Sequence, residues 1–291
     1  MEAVEAAVVK AEIRHGILML GIDNPPVNAL NNRVRQALFD HVATAQSDDA
    51  VHAMVIYGCR ARFSAGADIR EFNGTRRSPF TSEVAGSIEE GKKPAVAALS
   101  GYALGGGLEL ALGTHARVAA KSARFALPEV KLGLLPGGGG TQRLPRLIGV
   151  ENAVDMILSG REIASGYAFE VGLVDKVVED EALLSEAFTM ARMLAGSNVQ
   201  LRRTGRLRAD AREGLEDLVA AARAQLIDEG EIGPAHEFIL SLVSAATKLP
   251  LADGIKAEHE AFMRCVETAE HKNLAERFFV GRVDGARNAS M

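Results

Sequence analysis

Phe63-Ser64-Ala65-Gly66-Ala67-Asp68-Ile69, then Gly101-Tyr102-Ala103-Leu104-Gly105-Gly106-Gly107-Leu108-Glu109, then Leu127-Pro128-Glu129 is the stretch that decides the fold. The second glycine-rich turn runs into a helix-like segment, so its main-chain amides point toward whatever sits at that helix N-terminus. Small residues in both turns let the backbone approach a ligand closely. Two amides from separate turns, with two carboxylates beside them, are equipped to hold a thioester oxyanion and to move protons next to it. The stretch therefore reads as acyl-thioester chemistry.

Outward from this stretch the pattern alternates strands and helices. Val8 to Ile13 and Ile17 to Ile22 run or alternate apolar around His15-Gly16, which predicts a hairpin. Asn24-Pro25-Pro26 ends its second strand, because proline removes ladder donors and fixes φ. Val34, Leu38, Val42 and Ala45 recur at helical spacing over 32–46. Ala53 to Tyr57, Pro94 to Leu99 and Thr114 to Ala119 are short apolar runs suited to buried strands. The order strand, helix, strand, helix, strand, glycine turn, helix predicts an α/β unit with layered sheets. From Gly149 the character turns helical: Asn152 to Leu158, Ala182 to Leu194, Leu215 to Ile227, Pro234 to Ala246, Gly254 to Thr268 and Leu274 to Phe279 carry helical periodicity. Gly196-Ser197-Asn198 interrupts that pattern, dividing the chain into a core over 1–196 and a helical region over 197–291.

With 291 residues, 47% of them hydrophobic and 24% charged, the chain has the composition of a soluble globular protein. A net charge of −5 gives no support for a nucleic-acid surface. The local basic run of Arg202, Arg203, Arg206, Arg208 and Arg212 reads first as a solvated face, with contact to a ligand's phosphates as the alternative. Cys59 and Cys265 lie far apart and fit no metal-ligand spacing, and the histidines form no close i, i+4 pair. Gly137 to Gly140 lacks the lysine-serine/threonine ending of a phosphate loop, and there is no Gly-x-Ser-x-Gly elbow. No metal and no redox cofactor is implied. Residues 1–12 carry acidic side chains and no apolar core, no stretch approaches a membrane-spanning helix, and Ser290-Met291 does not form a peroxisomal address. The expected setting is cytoplasmic, without membrane or nucleic-acid partners.

Four motifs in sequence order carry a resemblance: Asn24-Pro25-Pro26-Val27-Asn28-Ala29-Leu30, Ser64 to Ile69, Gly101 to Leu110, and Pro128-Glu129 through Gly137-Gly138-Gly139-Gly140-Thr141-Gln142-Arg143-Leu144. Together they resemble the crotonase, or enoyl-CoA hydratase/isomerase, superfamily. The resemblance implies a crotonase fold of repeated ββα units in layered sheets, followed by a helical carboxy-terminal region. It implies an acyl-CoA thioester substrate that brings its own coenzyme A, with no separate cofactor. It further implies that the amides of Ala67 and Gly106 form the oxyanion hole and that Glu109 and Glu129 are the catalytic residues. Ala65, Asp68, Ile69, Gly107 and Leu108 would then line the path of the CoA and the acyl chain. A lysine often precedes the second motif in short hydratases; here position 61 is alanine, flanked by Arg60 and Arg62.

The segments Gly254 to Met263 and Leu274 to Phe279 look more like the amino-terminal half of multifunctional fatty-acid oxidation enzymes, in which such helices precede a 3-hydroxyacyl-CoA dehydrogenase with an NAD site. A stand-alone relative and a part of a longer enzyme both fit. Short members of the family assemble as homotrimers, whereas the multifunctional ones are often a monomer in this part, and both states stay open.

Glu109 falls three residues after Gly106, in the first turn of the expected helix, where the dipole favours a carboxylate. A helix-end carboxylate worth about 0.5 kcal/mol of stability fits the same position. Glu129 follows Pro128 among Phe125, Ala126, Leu127 and Val130, and apolar surroundings raise a glutamate's pKa. A surface-loop carboxylate is the plain alternative. In the family, hydratases carry both carboxylates, while several relatives that keep only the later one are isomerases. The resemblance thus implies that Glu109 activates water and Glu129 protonates C2, hydrating trans-2-enoyl-CoA to 3-hydroxyacyl-CoA in β-oxidation-type metabolism. Δ3,Δ2-isomerisation through Glu129 comes second. A different crotonase-type reaction (isomerase alone, hydrolase, decarboxylase) and a non-catalytic paralogue are the remaining alternatives.

Overall fold

The computed structural model of the protein describes residues 7–73, 77–197, 200–209 and 214–288. Strands β1 (Val9–Arg14) and β2 (Ile17–Ile22) form the predicted hairpin. Its two-residue turn works because His15 and Gly16 both take positive φ, which matches the twist of the flanking strands. Helix α1 (Asn32–Ser47) starts where the Asn31 side chain accepts from the Val34 amide, and it buries Val34, Leu38, Val42 and Ala45 as their spacing predicts. Next come β3 (Ala53–Gly58), a 3-10 turn at Ile69–Asn73, α2 (Thr81–Glu89), β4 (Ala95–Leu99), β5 (Tyr102–Leu104), α3 (Gly106–Leu112), β6 (Ala116–Ala120) and β7 (Arg124–Ala126). A 3-10 turn at Pro128–Leu132 leads to α4 (Gly140–Ile148), α5 (Val150–Ser159), β8 (Ile163–Ala164), α6 (Ser165–Glu170), β9 (Lys176–Val178) and α7 (Leu183–Gly196). The remaining described elements are helical: α8 (Leu215–Asp228), α9 (Pro234–Ala245), α10 (Leu251–Val266) and α11 (Ala269–Asn288).

Two sheets result. The larger has the order β1-β2-β3-β4-β6-β9 and is parallel throughout except for the opening hairpin. Its central strands β4 and β6 are buried at every residue, as a parallel sheet covered on both faces requires. Helix α7 lies against β2, β3, β4 and β6. The smaller sheet, β5-β7-β8, has strands of three, three and two residues. Strands that short carry no readable period, so this sheet was not individually legible in the sequence. The expected ββα repeat is nevertheless present: β4-β5-α3, and again β6-β7 followed by a 3-10 turn and α4.

Charge enters the core where helices meet. Arg143 of α4 and Glu89 of α2 form an almost fully buried ion pair at 3.0 Å, and Glu89 also accepts from the Gly205 amide at 2.5 Å. In the arginine run, Arg206 and Arg208 are exposed as a solvated face requires, while Arg202 and Arg203 are half-buried. Arg202 pairs with Asp175 at 2.8 Å and Arg206 with Glu90 at 2.5 Å, while Arg203 donates to the Glu89 carbonyl at 2.9 Å. Arg212 lies outside the described residues. Among the described residues no helix is long and apolar enough to cross a membrane.

Removing one partner of a buried ion pair leaves the other charge uncompensated, at about 3–5 kcal/mol. Arg143→Met is therefore expected to lower the urea midpoint sharply, by a free energy of that order. An unchanged midpoint would show that Glu89 does not depend on Arg143.

Candidate active site

The small sheet places the site. Ser64 bridges Ala103 in parallel, and Ala103 pairs in parallel with Phe125. Counting three residues onward from each reaches Ala67, Gly106 and Pro128, so three chain crossings turn at the same level. The Ser64 amide donates to the Tyr102 carbonyl at 2.9 Å, Leu104 returns to the Ser64 carbonyl at 3.0 Å, and Gly105 donates to the Ala126 carbonyl at 2.9 Å. The Asn24–Leu30 motif buttresses the first turn. Asn28, at φ +53, sends its amide nitrogen to the Arg62 carbonyl at 2.7 Å, and the Ser64 hydroxyl donates to the Asn28 carbonyl at 2.7 Å.

Ala67 and Gly106 are brought together as expected. A Cβ added at Gly106 would stand 3.2 Å from the Ala67 nitrogen. Neither amide donates to a main-chain carbonyl among the described residues, and the Gly106 amide opens α3, where helix donors are left over. Gly105 takes φ +47, and a Cβ there would come within 2.6 Å of Glu129 Oε1. The turn thus needs glycine both for its backbone conformation and for the approach of a carboxylate.

Glu109 lies in the first turn of α3 and is 3% exposed. Its hydrogen bonds come from across the site: Oε1 accepts from the amides of Gly138 at 2.6 Å and Gly140 at 2.8 Å, at the start of α4. Glu129 keeps some exposed surface as a residue, but its Oε2 is shielded and has no hydrogen-bond partner among the described residues. Burial, and then the neighbouring charges of Glu109 and Glu258, push its pKa well above the usual carboxylate range. The two carboxylates therefore have unlike surroundings: Glu109 Oε1 accepts two amides, whereas Glu129 Oε2 has no hydrogen-bond partner among the described residues.

A third carboxylate completes the group. Glu258 of α10 is 0% exposed. Its Oε1 accepts from the Gly139 amide at 2.6 Å, and its Oε2 from the Thr141 amide at 2.8 Å and the Thr141 hydroxyl at 2.6 Å. Burial and the charge of Glu109 push its pKa up to about 8, against the opposing effect of these donors. Glu258 was not singled out from the sequence, although a signal existed. It shares the buried face of α10 with Gly254, Ala261, Phe262 and Cys265, and a glutamate on an apolar helical face calls for a partner.

The remaining expected residues are placed as follows. Ala65 and Ile69 are half-buried, and Ile69 opens the 69–73 turn. Asp68 is largely buried and paired with Arg70 at 2.6 Å, which holds its carboxyl below the usual range. Gly107 is buried, and Leu108 is fully buried within the hydrophobic core. Arg60 pairs with Asp23 at 3.1 Å, and Arg62 donates to the Pro26 carbonyl at 2.7 Å. The carboxy-terminal helices furnish a wall: the Phe262 ring lies 5.6 Å from that of Phe72, and His271 Nδ1 is 2.8 Å from the Leu132 carbonyl. Of the stretch from Phe72 to Phe80, residues 74–76 lie outside the described residues.

Known proteins share this chain's family and fold. The chain belongs to the enoyl-CoA hydratase/isomerase family, which it matches over residues 12–231, and its fold is the crotonase fold. It is 40% identical over 270 residues to a peroxisomal bifunctional enzyme of Danio rerio, covering 93% of the chain and 37% of that relative. The peroxisomal bifunctional enzyme of Homo sapiens is 36% identical over 271 residues with the same coverage. The chain thus spans little more than a third of the length of these relatives. Among solved structures, the enoyl-CoA hydratase/isomerase of Pseudoalteromonas atlantica T6c superposes with a TM-score of 0.71 at 25% identity, covering 94% of this chain and 97% of that one.

These names correct the expected cytoplasmic setting. Both relatives are named peroxisomal, not cytoplasmic. Compartment was read from charge and from short terminal patterns, whereas organelle addresses are segments read by receptors and leave no trace in a folded core.

Glu129 also yields a stability test. Its folded-state pKa lies above the unfolded value of about 4.3, so above that pH the folded protein binds more protons than the unfolded one, and stability falls as pH rises. Glu129→Gln is expected to raise the melting temperature over wild type at about pH 8 and to lose most of that advantage near pH 4.5. An offset that is the same at both pH values would refute the burial argument.

Proposed function

We propose that the protein is an enoyl-CoA hydratase, adding water across trans-2-enoyl-CoA to give 3-hydroxyacyl-CoA. The observation that carries this reading is the contrast between Glu109, whose oxygen accepts two amides, and Glu129, whose Oε2 has no hydrogen-bond partner among the described residues and whose pKa is raised. Two titratable groups with environments that differ in this way divide into base and acid. The thioester oxygen sits against the Ala67 and Gly106 amides, which stabilise the enolate-like state; losing one such donor costs about 3 kcal/mol. Glu109 takes a proton from water as its oxygen bonds to C3, and Glu129 gives its proton to C2. The proton gained by Glu109 and that lost by Glu129 then re-equilibrate, which restores the starting state.

Family membership and the family's thioester chemistry support an acyl-CoA substrate, with Ala65, Asp68, Ile69, Gly107 and Leu108 along its path. Proton transfer and amide donation account for every step, so no cofactor beyond the substrate's own CoA is required. Isomerisation of 3-enoyl-CoA is a second activity of the same site, in which Glu129 carries the proton between C2 and C4. Residues 1–196 supply both reacting glutamates, and the carboxy-terminal helices α9, α10 and α11 pack beside them. Helices α9, α10 and α11 pack on α4, α5 and the 128–132 turn of their own chain, which favours a monomer over a homotrimer. Light scattering on the purified protein distinguishes the two.

The activity test follows the loss of the conjugated enoyl absorbance of crotonyl-CoA. Wild type should turn over, and Glu109→Gln and Glu129→Gln should each lower kcat by about 10²-fold or more, the scale of a lost proton-transfer group. A wild type inert on crotonyl-CoA and on a longer enoyl-CoA would sink the hydratase reading.

A further inference from the structure

Four consecutive amides, those of residues 138 to 141, are claimed alternately by two carboxylates from opposite sides. Glu109 takes the amides of Gly138 and Gly140 at 2.6 and 2.8 Å. Glu258 takes those of Gly139 and Thr141 at 2.6 and 2.8 Å. The alternation depends on Gly139, which at φ +105 turns successive N–H groups in opposite directions. Thr141 adds its hydroxyl to Glu258 Oε2 at 2.6 Å, so both oxygens of Glu258 are occupied by donors.

We propose that Glu258 is a positioning residue for the hydration: by holding the Gly139 and Thr141 amides it fixes the turn whose other two amides orient Glu109. This rests on the hydratase reading above and deepens it, since it assigns a role to a carboxylate in the carboxy-terminal helical region. Glu258 does not touch the reacting atoms; it acts through the turn. The geometry needs two accepting oxygens on one side chain, which a carboxyl group supplies and an amide does not. A glutamine presents one oxygen and one NH2, and either orientation sets N–H groups against the Gly139 amide or against the Thr141 amide. The turn must then shift, and Glu109 loses the two donors that aim it. Glu258 is also fully buried, so a change there acts inside the site rather than through solvent.

A positioning role and a general bracing role differ in two readouts. A positioning residue changes kcat and spares binding, because the amides of Ala67 and Gly106 are held by the small sheet and not by this turn. It also loses its effect once Glu109 can no longer act. The experiment is a double-mutant cycle on the full chain, with Glu109→Gln, Glu258→Gln and the pair, measured by crotonyl-CoA hydration. Binding of the 3-hydroxyacyl-CoA product and melting temperature are measured alongside. The exposed Glu260→Gln on the same helix serves as the control and should leave activity unchanged.

Glu258→Gln is expected to lower kcat by about 10²-fold, the scale of a misplaced catalytic group, with product Kd within about threefold. In the Glu109→Gln background the same change should cost less than about threefold more. If Glu258→Gln does not fold, Thr141→Val is read by the same cycle. It removes one donor to Glu258 and should lower kcat by about tenfold, again only while Glu109 is present. Equal fractional losses in both backgrounds, an unchanged kcat, or a loss confined to Kd would overturn the proposal while leaving the hydratase reading intact. A wild type inert on every enoyl-CoA would instead overturn the reading and the proposal together.

Discussion

Parallel pairing of Ser64 with Ala103, and of Ala103 with Phe125, sets three chain crossings at one height. Everything chemical in the molecule follows from that register. Each crossing leaves the small sheet and turns, and the three turns deliver the Ala67 amide, the Gly106 amide and the Glu129 carboxyl to a common point. A slip of one residue in either pairing would reverse the facing of the side chains and draw the two amides apart. The large parallel sheet, buried through its central strands, supplies the rigid base on which so short a sheet keeps its register.

Placing three carboxylates in one buried region is costly, because each disfavours the ionised form of the others and burial disfavours all of them. The chain offsets this unevenly. Glu109 and Glu258 share four amides and a hydroxyl, while Glu129 Oε2 has no hydrogen-bond partner among the described residues. An unsatisfied, buried carboxyl oxygen gives up local stability, a pattern common at functional sites. The raised pKa of Glu129 is thus a property of the whole cluster, since Glu109 and Glu258 both contribute to it.

Much of this was legible before the structure. The hairpin at His15-Gly16, the face of α1 and the central strands follow from periodicities long enough to read. Five of the helices expected after Gly149 fall close to their spans, but α11 is much longer than expected and β8, α6 and β9 were not expected there. The two glycine turns and the two glutamates were legible as motifs, and the pairing of Ser64, Ala103 and Phe125 is what brings the turns together. The small sheet was not legible, because strands of two or three residues have no period. Nor was the true support of Glu109, which comes from the start of α4 rather than from its own short helix. Glu258 lies far along the chain from the turn it holds, and single-sequence reading has no measure of such long-range pairing. Compartment was misread, because it is not written in the fold.

The reach from the 137–141 turn to α10 also bears on how the molecule comes into being. A chain is made from its amino terminus onward, and the strands, small sheet and α3 are complete long before residue 258 is synthesised. Until α10 has emerged and docked, the amides of Gly139 and Thr141 have no acceptor, and the Phe72 ring lacks the Phe262 ring that packs against it. Closing that contact, one of high sequence separation, is placed among the late events of folding by the loop entropy it must overcome.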